Sequence, residues 1–257
     1  MYNILIIGHG YVGQAVSSIF ENDSVSIIDP KYNNNTIHNF SQEQFDLVFV
    51  CVDTPKNENF KVLDLVLSEA DKNLQKGTIV VCKSTATPNF YSLAEKKYKN
   101  IKILHCPEYL SHWNNISDFK HQEFIIIGGD KDASRKTSRV LQSRLKYVKN
   151  VRITDIKTAA LVKYSENAFL ALKVTFANEL FNTHKALGCK SDFKDFTEML
   201  GLDSRIGKSH FQVPGRDGKY GWGGHCFEKD NYEFEKFSKS SLIKFMINLN
   251  KKHRLDE

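Results

Sequence analysis

Apolar residues in the first half of the chain fall into short continuous runs, separated by stretches with helical spacing. Residues 3–7 (NILII) read as a buried strand stopped by Gly8, and residues 11–20 follow with helical periodicity. Strand-like runs recur at 25–28, 47–51, 78–82, 102–104 and 124–127, with helical segments such as 63–74 and 89–97 between them. Unbroken apolar strands alternating with helices predict a parallel sheet covered on both faces, a doubly wound α/β domain of Rossmann type over residues 1–152. The pattern changes near Val151. Residues 154–187 contain neither Pro nor Gly and predict one long helix, capped by Thr154 and ending before Gly188. At 1.5 Å per residue it would span about 50 Å and offer an apolar face to a partner subunit. A shorter helix around 193–200, a Gly-rich loop over 202–224 and helical residues to the end complete a small all-α second domain, 153–257.

Composition narrows the classes of function. The 257 residues carry 36 Lys and Arg against 30 Asp and Glu, a net charge of +6, interleaved without a long basic run. That distribution argues against a nucleic-acid partner and suits an anionic small molecule. No apolar stretch approaches the ~20 residues of a membrane span, and the N-terminus shows no secretory leader pattern. Five cysteines without CxxC spacing indicate neither zinc nor a disulfide framework, and a reducing cytoplasm is expected. Cys51, Cys82 and Cys106 sit in or beside apolar runs and are expected as core residues.

The first chemical motif is Gly8-His9-Gly10-Tyr11-Val12-Gly13, a GxGxxG turn between a predicted strand and a predicted helix. The first glycine permits the tight turn, the second lets backbone approach a pyrophosphate, and the third allows close helix–strand packing. Asp29, at the end of the second strand, can hydrogen-bond a ribose 2′-hydroxyl and would repel a 2′-phosphate, which favours NAD over NADP. Lys31, two residues on, opposes that preference.

The second is Gly223-Gly224-His225-Cys226-Phe227-Glu228-Lys229-Asp230. A Cys after paired glycines is sterically open, and a helix N-terminus with Lys229 would favour the thiolate. The competing reading is an ordinary, partly buried thiol. On the long helix Lys163 and Asn167 are spaced i,i+4 and project from one face. Facing a cleft, such a pair can hold a developing oxyanion, and facing water it is a solvated surface.

Together these segments resemble the UDP-glucose dehydrogenase family of nucleotide-sugar dehydrogenases. Besides the GxGxxG turn, the resemblance rests on Val52-Asp53-Thr54-Pro55, Lys83-Ser84-Thr85, Cys106-Pro107-Glu108-Tyr109-Leu110 and Lys163-Tyr164-x-x-Asn167 with Phe176-x-Asn178-Glu179. Asp203-x-Arg205-Ile206-Gly207 and the Cys226 segment complete it, in the family's order over almost the whole chain. The resemblance implies oxidation of a sugar C6 alcohol to a carboxylate by two hydride transfers to NAD, with UDP-glucose as the expected substrate. It implies Cys226 as the carrier of a thiohemiacetal and then a thioester, with Lys163 and Asn167 stabilising the C6 oxyanion. Asp230 would assist Lys163 or the hydrolytic water, Thr85 would position water, and Glu108 would be an acid–base or orienting carboxylate. Gly8, Gly10, Tyr11, Val12, Gly13, Asp29, Lys31, Val52, Thr54, Thr85 and Lys229 would line the cofactor. Glu108, Tyr109, Leu110, Lys163, Asn167, Arg205, Tyr220, Gly221 and Gly223 would meet the substrate, Arg205 that of a neighbouring subunit. No metal is implied, and a homodimer is expected because an apolar face on so long a helix needs cover.

The chain departs from the family pattern in three places. His112 stands where the substrate loop has a second Glu, and Glu228 replaces a small residue or Pro, which would raise the Cys226 pKa against Lys229. The family continues into a further nucleotide-binding domain, so a shortened form is expected, with Arg216 and Lys219 as candidate phosphate contacts. Two other classes compete. A β-hydroxyacid dehydrogenase also pairs a Rossmann domain with a Lys-x-x-x-Asn helix, but transfers one hydride and needs no thiol. A non-catalytic NAD- or nucleotide-sugar-binding protein of the same fold would retain the architecture without turnover.

Overall fold

The computed structural model describes residues 1–56, 60–110 and 114–255, apart from the side chain of His225. The chain divides into two compact units, Met1–Lys163 and Tyr164–Glu257. The division falls inside the long helix, whereas the expected boundary, 152/153, lies just before that helix begins.

The first unit is built on β1 (Asn3–Ile7), β2 (Ser24–Ile28), β3 (Leu47–Val50), β4 (Ile79–Cys82), β5 (Lys102–His105), β6 (Phe124–Gly129) and β7 (Asn150–Thr154). They form one sheet in the order β2-β1-β3-β4-β5-β6-β7. Every neighbouring pair is parallel except β5 and β6, which run antiparallel, so the sheet is parallel as expected apart from that one junction. Alternate residues of each strand enter different cores. Leu5, Ile7, Val48, Val50 and Val80 pack with Leu63 and Leu67 of α2 (Lys61–Asn73) and Tyr91 of α3 (Pro88–Lys97). Ile4, Ile6, Leu47, Phe49 and Val81 pack with Ala15 and Val16 of α1 (Tyr11–Ser17). Phe119 of α4 (Asn115–Lys120) and Val140 and Leu141 of α5 (Lys131–Gln142) join this second core. Burial of strand side chains on both faces is what makes the runs continuous in sequence, and each such side chain contributes about 1.5–3 kcal/mol.

Helix α6 (Ile156–Ala186) is 31 residues long and starts in the first unit. Thr154 is not its cap: it ends β7, and Asp155 takes that role, its carboxylate accepting from Thr158 N (3.0 Å) and Thr158 Oγ1 (2.5 Å). Gly188 follows the helix with φ +65°. Ala177 is buried, and the other buried positions of α6 run Ile156, Ala159, Ala160, Lys163, Tyr164, Asn167, Ala168, Ala171, Thr175 and Asn178. That is one helical face, narrow in side-chain volume and carrying four polar groups.

The second unit contains the rest of α6 with α7 (Phe193–Leu200), α8 (His225–Ser238) and α9 (Ser241–Leu255). Its core is small: Ala168 and Ala171 of α6, Trp222 of the loop before α8, and Ile243, Met246 and Ile247 of α9. Among the described residues no helix is long and apolar enough to cross a membrane.

Candidate functional site

The glycine turn has the geometry that its spacing predicts. Gly8 has φ +89°, and a Cβ there would crowd the Cys51 carbonyl at 2.8 Å. A Cβ on Gly13 would collide with the Gly8 carbonyl oxygen, so only glycine lets α1 sit this close to β1. A Cβ on Gly10 would meet nothing within 4 Å, which leaves open space over the backbone at the start of α1. Asp29 accepts from His9 N (2.6 Å) and Lys31 N (2.8 Å), and these bonds hold its carboxyl below the ordinary range although burial opposes them. An open cradle at a helix N-terminus beside an ionised carboxylate fits a dinucleotide. Tyr11 is exposed and Val12 half-buried at the cradle's edge.

Two further loops at the carboxyl ends of the strands are tied to each other. Thr54 Oγ1 donates to the Thr85 carbonyl (2.9 Å), and Ser84 Oγ donates to the Val52 carbonyl (2.6 Å). Tyr91 of α3 donates its hydroxyl to the Ser84 carbonyl (2.5 Å). Val52, Thr54 and Thr85 are thus brought together.

Directly after β4, Lys83 is buried and ion-paired with Glu108, which follows β5. Lys83 Nζ also donates to Cys106 Sγ (3.3 Å) and lies 5.3 Å from the Phe119 ring centre. Burial opposes the Lys83 charge, but Cys106 and Glu108 outweigh it and hold the pKa above that of a free lysine. Burial pushes the Glu108 carboxyl up, with Lys83 and Lys163 pulling the other way. A buried carboxyl with a raised pKa is a candidate for proton exchange. Beside it His105 is fully buried, stacked on Tyr91 at 4.3 Å and in hydrogen-bond contact with the Cys82 carbonyl (3.2 Å). Burial lowers its pKa to about 3. Lys163 is buried in the same unit, its ammonium 4.8 Å from the ring centre of Tyr109. Tyr109 and Leu110 are half-buried. Cys82 and Cys106 are core thiols as expected, while Cys51 is only half-buried.

In the second unit Asn167 Nδ2 donates to Asp230 Oδ2 at 2.6 Å, and both groups are buried. The other Asp230 oxygen meets Lys229 Nζ at 2.7 Å. Lys229 is buried, so its charge is matched first by its chain neighbour. Cys226 is exposed and lies in the first turn of α8, one helical turn before Asp230. Glu228, in the same turn, is exposed. Arg205 is exposed and forked onto its neighbour Asp203, with Nη2–Oδ2 at 2.6 Å. Tyr220 is half-buried against Phe181, Gly221 is buried, and Arg216 and Lys219 are exposed. His112 lies outside the described residues. Among the described residues no cluster of His, Cys, Asp or Glu could hold a metal.

Sequence reasoning read Lys83 only as part of a cofactor loop and missed it as the cation beneath Glu108. A lysine directly after a fully apolar strand was the available signal.

Comparison with known proteins gives a consistent result. Residues 29–146 match the NAD-binding domain of the UDP-glucose/GDP-mannose dehydrogenase family, and residues 157–252 match its central domain. The UDP-glucose 6-dehydrogenase of Rickettsia conorii is 28% identical over 89% of the chain and 60% of its own length. UDP-glucose 6-dehydrogenase YwqF of Bacillus subtilis is 29% identical over the same shares. The chain thus spans about 60% of the length of these curated relatives. A UDP-glucose dehydrogenase of Pyrobaculum islandicum superposes with a TM-score of 0.81 at 23% identity, covering 98% of this chain and 68% of that one. A 3-hydroxyisobutyrate dehydrogenase of Mycobacterium tuberculosis superposes at 0.77 and 16% identity, covering 100% of this chain and 94% of that one. At such identities the two superpositions speak for the fold alone.

Proposed function

Because the chain belongs to the UDP-glucose/GDP-mannose dehydrogenase family, with that family's NAD-binding and central domains, we propose that it oxidises the C6 alcohol of a nucleotide sugar to the carboxylate, with UDP-glucose as the first candidate substrate. The observation that carries this reading is the arrangement around Asp230. Its buried carboxylate holds the Asn167 carboxamide at 2.6 Å, Cys226 stands one turn earlier on α8, and Lys163 stands one turn before Asn167 on α6. A thiol, an ammonium and a carboxamide are the groups that a covalent two-stage oxidation needs.

Bound NAD supplies the hydride acceptor at each of the two oxidations. Lys163 and Asn167 stabilise negative charge on the C6 oxygen, and Asp230 fixes the orientation of the Asn167 amide. The Cys226 thiolate adds to the C6 aldehyde to give a thiohemiacetal, which becomes a thioester when it loses the second hydride. Water then releases the carboxylate and returns the thiol. Glu108, with its raised pKa, and Thr85 serve the proton transfers and the placement of that water. Lys83 keeps Glu108 in place. Asp29 favours NAD by meeting a ribose hydroxyl.

Two further parts of the reading concern the setting. Phe169 and Phe176 are 62% and 54% exposed, seven residues apart on α6, and a second copy of the chain covers them in a homodimer. No disulfide joins the five cysteines, which suits a reducing cytoplasm.

The competing reading is a single hydride transfer of the β-hydroxyacid dehydrogenase kind, whose Lys-x-x-x-Asn helix spacing Lys163 and Asn167 also satisfy. Incubation with NAD and a panel of UDP-glucose, its epimers and GDP-mannose, with products identified by mass, separates the two. We expect a uronic acid from at least one sugar, and loss of that acid in Cys226→Ser. Oxidation only of small hydroxyacids, unaffected by Cys226→Ser, would overturn the proposal.

A further inference from the structure

We propose that Asn250, on α9, is a positioning residue for Cys226, an assignment that rests on reading Cys226 as the nucleophile. The segment Gly221-Trp222-Gly223-Gly224 leads directly into the turn that carries Cys226, and Gly221 and Gly224 have φ of +67° and +84°. Three glycines in four residues leave such a segment with many conformations to lose. Trp222 is nevertheless fixed from two helices. Trp222 N donates to Asn250 Oδ1 at 2.7 Å, and Asn250 Nδ2 donates back to the Trp222 carbonyl at 2.8 Å. One buried carboxamide therefore holds both polar groups of one residue's backbone, as a neighbouring strand would. Arg254 Nε donates to the same carbonyl at 3.1 Å, while its Nη1 pairs with Asp217 at 2.9 Å.

From α6, Thr175 Oγ1 accepts the Trp222 indole N–H at 2.9 Å, and Asn178 Oδ1 accepts from Gly221 N at 3.0 Å. A Cβ on Gly221 would collide with Asn250 Oδ1, and one on Gly223 with the Arg254 guanidinium. These glycines do more than open the way to Cys226: they let α9 side chains reach the loop backbone. Cys226 follows Trp222 by four residues, the two loop glycines Gly223 and Gly224 and then the first two positions of α8, so the point at which Trp222 is held sets where α8 starts and where the thiol stands.

The test compares Asn250→Leu, which removes both bonds at similar volume, Asn250→Asp, which keeps the acceptor and loses the donor, and Thr175→Val. Each full-length variant is alkylated with iodoacetamide across a pH series without substrate, and Cys226 is followed by peptide mass spectrometry. Cys189, also exposed, serves as the internal control. kcat and KM for nucleotide-sugar oxidation are measured in parallel. In Asn250→Leu we expect the pH profile of Cys226 alkylation to move while that of Cys189 does not, and kcat to fall roughly ten- to a hundredfold with a smaller change in KM. Asn250→Asp is expected in between, and Thr175→Val shifted the same way by less. A Cys226 profile and kcat within about twofold of the parent, with only the melting temperature lowered, would reduce Asn250 to a structural residue and overturn the assignment. If Asn250→Leu does not fold, Thr175→Val decides by the same criteria. A moved Cys226 profile in a protein that oxidises no nucleotide sugar refutes the proposed reaction and leaves the positioning intact. An unmoved profile in an active enzyme refutes the positioning alone.

Discussion

Lys83 follows a strand in which every residue is buried, and its ammonium is held by Glu108 and Cys106 with almost no access to water. Removing one partner of such a pair leaves a buried charge uncompensated. Lys83→Met is therefore expected to destabilise the first unit by about 3–5 kcal/mol, and Lys83→Met with Glu108→Leu to recover much of it. Urea unfolding of the single and double variants checks this. His105 gives a pH dependence of known sign. Its folded pKa, about 3, lies below the ~6.5 of an unfolded histidine, so its contribution is complete above pH ~6.5. As pH falls towards 3, only the unfolded chain takes up the proton, and stability drops by up to about 1.4 kcal/mol per unit. His105→Gln should lose less stability than the parent between pH 7 and pH 5. An equal loss in both proteins would place the titrating group elsewhere. A lysine directly after an apolar strand marks Lys83 in the sequence, but neither its pairing with Glu108 nor the burial of His105 is legible there, because each depends on which loops the sheet order brings side by side.

At the scale of elements, the glycine turn and the apolar strands were readable because their signals are local: a fixed spacing, and runs that water-free faces require. Gly13→Ala tests the turn. Its new Cβ collides with the Gly8 carbonyl oxygen, so α1 must move from β1, and NAD binding measured by calorimetry should weaken at least tenfold, by analogy with misplacement costs in ordered sites. Unchanged NAD affinity would show that the turn is not where the dinucleotide binds. Helix α5 and strand β7 were not seen, for a common reason. The buried face of α5 includes Ser134, Thr137 and Ser138, and β7 is an edge strand, largely exposed, with polar residues at most positions. Small polar residues in a core hide the helical period that apolar ones would reveal. The antiparallel turn of β6 leaves no mark either, since strand direction is set by the connection and not by the strand's own pattern. The contacts of Asn250 and Thr175 with Trp222 join residues far apart in sequence, and such pairs have no local signature.

At the scale of the molecule, the long helix was read correctly as an element, and the apolar stripe along it is the proposed interface. Phe176→Asp puts a charge in the middle of that stripe. It should shift the protein from dimer to monomer in sedimentation velocity at micromolar concentration, with the fold intact by circular dichroism. A parent that is already monomeric would refute the proposed interface. The central claim concerns how many hydrides leave one sugar, because only a covalent acyl carrier needs the thiol at Cys226. The most direct test is the amount of NADH formed per nucleotide sugar consumed, followed to completion with limiting UDP-glucose or whichever sugar the panel identifies. The account predicts two NADH per sugar and a uronic acid as the product. One NADH per molecule oxidised, with an aldehyde or ketone as the product, would contradict it.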